Sequence, residues 1–402
     1  MKKTAEAVTN AMVVGWSNLT VTDLPDDVIF LILSYLDVPS LGRICQTCNY
    51  LRALASSDSI WLRYSKRHNI IKDRCCDSLK NKCRVAQNWA QGKFQEVTLI
   101  KNPVRLLPWL QHDDSRLFFS SKNCIKQYQV LKNGHLRENS QRHLRGPKED
   151  VCRFVNKNNL TVCGCRDGTV MGWETSSGCQ LFNYKLHSSD AQCVDIIETL
   201  VVSGSRDATV KVTSMQPDGN YSRLRKTLNV GARVWSLAVS SHGSLVASGS
   251  SGCGGVPPVT IWDLHSGEVV SQLGSDHKRG AGVLDMKFES PYTLLTCGHD
   301  TCLRLWDLRT HTCVSTWVEP FDSALYCLAT DNDNAIMTGT ARHGMTRRWD
   351  KRCTNSLQMF YTGLCSSPVY SLAFNSRWMY VALDLCTNMV DFTSPATNNR
   401  NR

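Results

Sequence analysis

The stretch Thr296–Leu308, TCGHDTCLRLWDL, decides the fold. Its first arm ends at Gly298, His299 and Asp300 make a tight turn, and Leu303, Leu305 and the Trp306-Asp307 pair alternate as a strand with one buried face does. A single two-stranded hairpin is marginal in water, so this one needs neighbours. The chain supplies them: CGCRDGTVMGWE from Cys163, SGSRDATVKVTS from Ser203 and GTARHGMTRRWD from Gly339 repeat the pattern, each with Trp or a substitute six residues after the turn residue. Upstream of the hairpins a second piece recurs, as VCRF at Val151, AQCV at Ala191, VWSL at Val234, VLDM at Val283, LYCL at Leu325 and VYSL at Val369. These starts lie 40 to 49 residues apart, the period of four-stranded propeller blades.

Seven third strands are expected, ending at Tyr128-Gln129, Trp173-Glu174, Thr213-Ser214, Trp262-Asp263, Trp306-Asp307, Trp349-Asp350 and Val390-Asp391. The last blade stops near Phe392, and the tail TSPATNNRNR has no strand pattern. Its outer strand is therefore expected from Glu96–Ile100, which closes the ring and leaves no exposed edge.

The 402 residues carry 42% hydrophobic and 20% charged side chains and a formal charge of +11, an ordinary balance for a globular protein. The longest early apolar run, Ala11–Trp16, is too short to span a bilayer, and no membrane or secretory route is expected. The 19 cysteines are odd in number, and several, such as Cys152, Cys163, Cys193, Cys297 and Cys327, fall at strand positions. Buried free thiols in a reducing cytoplasm or nucleus fit that distribution better than a disulfide framework.

Ahead of the strands the period changes. From Asp23 the sequence DLPDDVIFLILSYL opens with Asp23 as an N-cap, Pro25 in the first turn and Asp26 and Asp27 where the helix dipole favours them. Val28, Ile29, Ile32, Leu33 and Leu36 recur at helical spacing, and Asp37–Ser40 breaks the helix. Ser40 is expected to cap a second helix through Leu41, Ile44, Cys45, Cys48 and Leu51, and a third covers Ile60, Trp61 and Tyr64. Basic residues dominate from Arg63 to Arg105, around a helix through Val85–Trp89. A solvated linker helix is preferred there over a nucleic-acid surface.

Leu24-Pro25, Ser34-Tyr35-Leu36, Leu41, Cys48, Leu51 and Trp61 together resemble an F-box, and the strand region resembles a WD-repeat propeller. In that order the whole looks like the F-box and WD-repeat family, in its dactylin-like branch. The resemblance implies a small all-α F-box module followed by an all-β seven-bladed WD-repeat propeller. It divides the chain into a disordered lead-in (1–20), the F-box (21–66), a basic helical linker (67–93), the propeller (94–393) and a tail (394–402). It also implies a non-catalytic receptor that docks on the Skp adaptor and, through it, a cullin-RING ubiquitin ligase, using Leu24, Pro25, Val28, Ile29, Leu36 and Leu41. A scaffold propeller without ligase role is the alternative. Several departures stand out: only His187 and His277 are candidates for the Gly-His dipeptide of the repeats, Pro147 replaces one, Thr213 replaces a Trp, His343 replaces a turn Asp, and SSGCGGVPPV from Ser250 is inserted in blade four.

Cys45 and Cys48 form a CxxC, with Cys75, Cys76 and Cys83 beyond, but the pair lies on an apolar helix face and has no matching second pair. No metal, no cofactor and no catalytic motif is expected. His187 and Asp207 are read as a brace within one blade. In propellers of this class the residue before each turn Asp points to the mouth of the ring, which here selects Arg166, Arg206, His299 and Arg342. Guanidinium pairs match carboxylate or phosphate geometry, so the substrate is expected to be a protein with an acidic or phosphorylated segment.

Overall fold

The structure, a computed structural model, describes residues 20–67, 71, 77–113, 115–215, 223–253, 255–275, 277, 280–364 and 366–394. The expectations for the lead-in, apart from Thr20, for Cys75 and Cys76, and for the tail, apart from Ser394, lie outside these residues. Two compact units meet in sequence between Gln91 and Gly92.

The first unit is helical. Helix α1 (Asp26–Leu33) buries Ile29 and Leu33, one turn apart, while Asp26 and Asp27 occupy its first turn. Asp23 does not cap it. Its carboxylate turns back to accept the Thr20 N–H at 2.7 Å in a 3-10 turn, Val21–Asp23, and Pro25 takes the N-cap position. Helix α2 (Val38–Ile44) is capped by Asp37, whose Oδ1 accepts the Ser40 N–H at 2.9 Å, so Ser40 is capped rather than capping. The expected second helix is in fact two. The Thr47 hydroxyl donates to the Ile44 carbonyl at 2.8 Å, Cys48 is extended, and α3 (Asn49–Ala55) starts afresh with the Cys48 thiol accepting from Leu51 N–H. Side-chain bonding to the last carbonyls competes with helix continuation at such a site.

Helix α4 (Asp58–Arg67) brings Trp61 to the centre of the unit, 1% exposed, with Nε1 donating to the Ala55 carbonyl at 2.9 Å. Ile29, Leu33, Leu41, Leu54, Ile60 and Trp61 form one core. Helix α5 (Leu79–Gln91) belongs to it: Cys83 is fully buried in that core and Leu79 packs on it. The solvated-linker reading is thus corrected, because the basic residues of α5 hid an apolar face of Cys83, Val85, Ala86 and Trp89, all buried.

The second unit holds seven four-stranded antiparallel sheets. Blade one is β2 (Leu110–Asp113), β3 (Arg116–Ser121), β4 (Cys124–Gln129) and β5 (Arg142–Leu144). Blade two is β6 (Val151–Lys157) to β9 (Gln180–Lys185), blade three β10 (Ala191–Ile197) to β13 (Arg223–Asn229), and blade four β14 (Val234–Val239) to β17 (Val269–Leu273). Blade five is β18 (Val283–Ser290) to β21 (Thr312–Val318), and blade six β22 (Leu325–Thr330) to β25 (Gln358–Tyr361). Blade seven has three strands of its own, β26 (Ser371–Phe374), β27 (Trp378–Ala382) and β28 (Cys386–Asp391), and takes its outer strand from β1 (Gln95–Lys101). Glu96 pairs with Val390 and Thr98 with Asn388 in that antiparallel ladder, the closure the sequence predicts.

Each blade alone is a small sheet with two apolar faces, so the core is split among the interfaces. One cluster joins Val202, Val212 and Leu228 of blade three to Val246 and Trp262 of blade four, and another joins Leu303 and Trp317 of blade five to Ile336 and Trp349 of blade six. Cys163, Cys193, Cys297 and Cys327 are buried free thiols, and burial pushes the Cys193 thiol up to about 12. Cys152 departs from the expectation, being only partly buried.

Candidate docking surfaces

On α1 the burial of Ile29 and Leu33 turns the opposite face outward. Val28, Leu31 and Ile32 are 40%, 54% and 44% exposed, Leu24 is 36% exposed before the helix, and Tyr35 is 75% exposed after it. The Arg63 guanidinium stands 5.6 Å from the centre of the Tyr35 ring and donates to Ser34 Oγ at 2.9 Å, which holds that corner in place. An outward stripe this apolar marks a contact surface. Of the expected adaptor contacts, Leu24, Pro25 and Val28 are exposed, and Leu36 is half-buried against the core. Ile29 and Leu41, 1% and 0% exposed, are core residues and cannot touch a partner directly. Leu31, Ile32 and Tyr35 share that outward face; the apolar run Val28–Leu33 is the signal in the sequence for the first two, while Tyr35 lies beyond Ser34 and has none. The CxxC has other work: Cys48 caps α3, and buried Cys45 accepts from Lys80 Nζ at 3.2 Å.

The braces of the propeller are visible in three blades. In blade three His187 Nδ1 lies 3.0 Å from Asp207 Oδ2 and Nε2 lies 2.8 Å from Ser203 Oγ, as the brace reading expects. Burial pushes the His187 pKa below its usual value despite the pull of Asp207. Burial also acts upward on the Asp207 carboxyl, but the Thr209 hydroxyl, His187 and backbone N–H groups bring it to about 2. In blade five His277 Nε2 is 3.4 Å from Asp300 Oδ2, its ring stacks on Trp306, and Trp306 Nε1 donates to Thr296 Oγ1 at 2.8 Å. In blade six an ion pair replaces the histidine, with Arg347 Nη2 2.7 Å from Glu319 Oε1 and both side chains buried.

At the mouth of the ring the four expected residues do not form one cluster. Arg166 and Arg206 share a depression of about 200 Å³ with Cys152, Asp190 and Gln192, and Arg206 is already paired to Asp190 at 3.2 Å. Arg342 is a correction. The blade-six turn is one residue longer than that of blade two, since Gly339 pairs with Thr346 where Gly164 pairs with Val170. Arg166 and Arg206 donate their backbone N–H to the carbonyls of Asp150 and Asp190; the matching bond in blade six is made by Ala341, to Ala324. The mouth-facing position is therefore Ala341, with Arg342 exposed one step farther round the turn. His299 is there, but among aromatic rings: its centroid is 5.0 Å from Trp235 and 6.3 Å from Tyr326, edge to face with both. Burial pushes its pKa below the usual histidine value, against the pull of Asp300, and so favours the neutral ring.

Comparison with known proteins meets this geometry at both units. Residues 21–67 match the F-box-like family model, and 223–253 and 267–307 match the WD domain, G-beta repeat. F-box/WD repeat-containing protein 4 of Mus musculus and of Homo sapiens are each 39% identical over 385 residues, covering 92% of this chain and 93% of theirs. The chain belongs to the F-box/WD-repeat family. The dactylin-like resemblance holds, and the helical unit is accordingly an F-box module. A more distant relative, the probable E3 ubiquitin ligase complex SCF subunit sconB of Penicillium rubens, is 24% identical over 221 residues, 47% of this chain and 29% of that one. Among solved structures, the WD40 propeller of Doa1 superposes with a TM-score of 0.59 at 16% identity, covering 74% of this chain and 96% of that one. A computationally designed protein, Ika8, gives 0.57 at 19%, covering 73% and 98%. Both agree in fold with the F-box/WD-repeat propeller described above.

Proposed function

We propose that this chain is a substrate receptor of a Skp-cullin-F-box ubiquitin ligase, acting in the cytoplasm or nucleus. The F-box module attaches to the Skp adaptor and the mouth of the propeller holds a protein that is thereby presented for ubiquitination and degradation. The observation that carries this reading is the outward apolar stripe of Leu24, Val28, Leu31, Ile32 and Tyr35, which the module's own core does not use. Burying such anchors in a partner supplies most of the free energy of contacts of this kind. The SCF role in the name of the sconB relative supports it. The chain itself makes and breaks no bond in this reading; it brings two proteins together.

Recovery of a Skp adaptor and a cullin with the tagged full chain tests the proposal, with bound proteins compared before and after proteasome inhibition. Partners that accumulate under inhibition are the substrates it expects. A chain that recovers propeller partners but neither adaptor nor cullin would be a scaffold instead. The substrate segment the receptor holds is acidic or phosphorylated in this reading, which rests on Arg166 and Arg206 of one depression. Substrate capture by Arg166→Ala and Arg206→Ala at two salt concentrations tests it, and capture that ignores both changes removes it.

A further inference from the structure

Half of the propeller mouth is aromatic. Trp235 of blade four, His299 of blade five, Tyr326 of blade six and Tyr370 before blade seven follow one another at 5.0, 6.3 and 6.1 Å between ring centres. Three of them come from one recurring sequence position, the second residue of VWSL, LYCL and VYSL. Blades two and three place Cys152 and Gln192 there. At the start of this arc lies a pocket of about 900 Å³, bordered by Trp235, His299, Arg233, Ser251, Cys253 and Gly280. That volume is in the range of ligand pockets, and this one is open to solvent on one side.

The blade-four insertion builds this pocket. Ser250 N–H donates to the Pro258 carbonyl at 2.7 Å, closing the inserted loop, and Gly280 N–H donates to the Gly252 carbonyl at 2.9 Å, tying it to the segment before blade five. Gly280 has positive φ, and a Cβ there would meet nothing within 4 Å, so the wall stays open where a side chain would otherwise fill it. Ser251 occupies the mouth-facing position held by Arg166 in blade two, because its N–H donates to the Arg233 carbonyl in the same way. A small residue here, where two other blades carry Arg, leaves room. The buried Trp235 Nε1–H finds no acceptor among the described residues.

Charge points the same way. The acidic groups near the mouth are largely engaged: Asp190 by Arg206, Asp300 by Arg304 and His277, and Asp384 by Arg105 at 3.4 Å. Arg233 and Arg166 have no ion pair among the described residues, although Asp150 shares a shallow depression with Arg166. The surface thus pairs an aromatic slot with spare guanidinium groups.

Resting on the receptor reading above, we propose that this pocket receives an aromatic side chain from an extended segment of the substrate, with an acidic residue beside it directed to Arg233. Aromatic rings match one another edge to face, and a guanidinium offers paired donors to a carboxylate. Anchor recognition of this kind does not require a phosphate.

The test is selection of a phage-displayed random dodecapeptide library on the purified full chain, followed by affinities of the enriched peptides as synthetic, fluorescently labelled versions. The inference predicts enrichment of peptides with Trp, Tyr or Phe next to or near Asp or Glu. Replacing that aromatic residue by Ala, or using the blocking variant Ser251→Trp or the wall variant Trp235→Ala, should weaken binding about tenfold or more. Arg233→Ala should weaken it severalfold, more at low salt than at high. Each variant is first checked for an unchanged melting temperature, and Ser251→Trp is the decisive one because it fills space without removing a contact. Failure of the folded chain to enrich such peptides, or binding that Ser251→Trp leaves intact, overturns the inference. Adaptor binding is measured on the same samples: peptide binding kept with no adaptor bound would sink the ligase reading and spare the pocket.

Discussion

Arg153, on the innermost strand of blade two, donates from Nη1 to the Asp285 carboxylate on the innermost strand of blade five, 3.1 Å away across the channel of the ring. Its Nη2 also reaches the Leu284 carbonyl at 2.6 Å, and its guanidinium lies 4.1 Å from the centre of the Trp109 ring, just before blade one. Asp285 Oδ2 in turn accepts the Leu328 N–H of blade six at 2.8 Å. This pair, with Asp285 buried and Arg153 partly so, therefore ties together strands far apart in sequence, and it is costly to break from the arginine side because the carboxylate left behind stays buried.

Arg153→Met should destabilise the chain by about 3–5 kcal/mol at pH 7, read from urea unfolding. Burial pushes the Asp285 pKa above its usual 3.8, and Arg153 opposes that rise. An acid with a raised folded pKa binds its proton more readily in the folded state, so its contribution to stability falls as pH rises from about 3.8 through the folded value. Removing Arg153 raises that value further. The variant should accordingly lose less at pH 5 than at pH 7, and an equal loss at both would contradict the account.

His187→Ala should cost about 1–3 kcal/mol at pH 7.5, because Asp207 and Ser203 lose their partner inside blade three. The contribution of His187 runs with pH in the opposite sense to that of Asp285, although the gap to the variant again narrows on acidification. A histidine with a lowered folded pKa stabilises most above its unfolded value of 6.5, and that share is lost as pH falls from 6.5 toward the folded value, where the unfolded chain takes the proton first. The gap between wild type and variant should narrow at pH 5.5 in chemical denaturation. A gap that does not change would show that His187 only fills space.

Deleting residues 94–100 removes all of β1 but Lys101 and leaves most of the edge of β28 unpaired. It also removes Phe94, whose ring centre is 5.9 Å from Phe360 and 5.8 Å from Phe392, and Glu96, which accepts from Gly363 N at 2.6 Å and Asn388 Nδ2 at 2.7 Å. The expected outcome is a lower melting temperature and higher oligomers by light scattering, since an open edge pairs with other chains. A monomer with unchanged melting would place the closure elsewhere.

What could be read from the sequence was whatever repeats locally: the blade period, the turn before each Trp, the histidine braces and the unpaired last blade that borrows its strand. What could not be read depends on counts of one residue or on long-range assembly. Arg342 looked equivalent to Arg166 until the pairing of Gly339 with Thr346 revealed the longer turn. The Glu319–Arg347 pair of blade six spans 28 residues and substitutes for a histidine with no local mark. The aromatic arc gathers Trp235, His299, Tyr326 and Tyr370 from four successive blades, so only the packing of each blade on the next brings them together. In the helical unit, Thr47 split a helix that periodicity alone would continue, and the charges of α5 masked its buried face.

The division of α1 into an inner and an outer face is the central claim, and titration of purified Skp adaptor into the purified chain by calorimetry tests it most directly. The double variant Ile32→Asp and Tyr35→Asp should keep the wild-type melting temperature, because both residues are exposed, while adaptor affinity drops by two orders of magnitude or more, about 3 kcal/mol. Ile29→Ala should behave in the opposite sense, losing about 2–5 kcal/mol of stability through a cavity in the module's core. Its adaptor affinity should stay near wild type wherever it remains folded. Undiminished adaptor binding by the folded double variant would contradict the account.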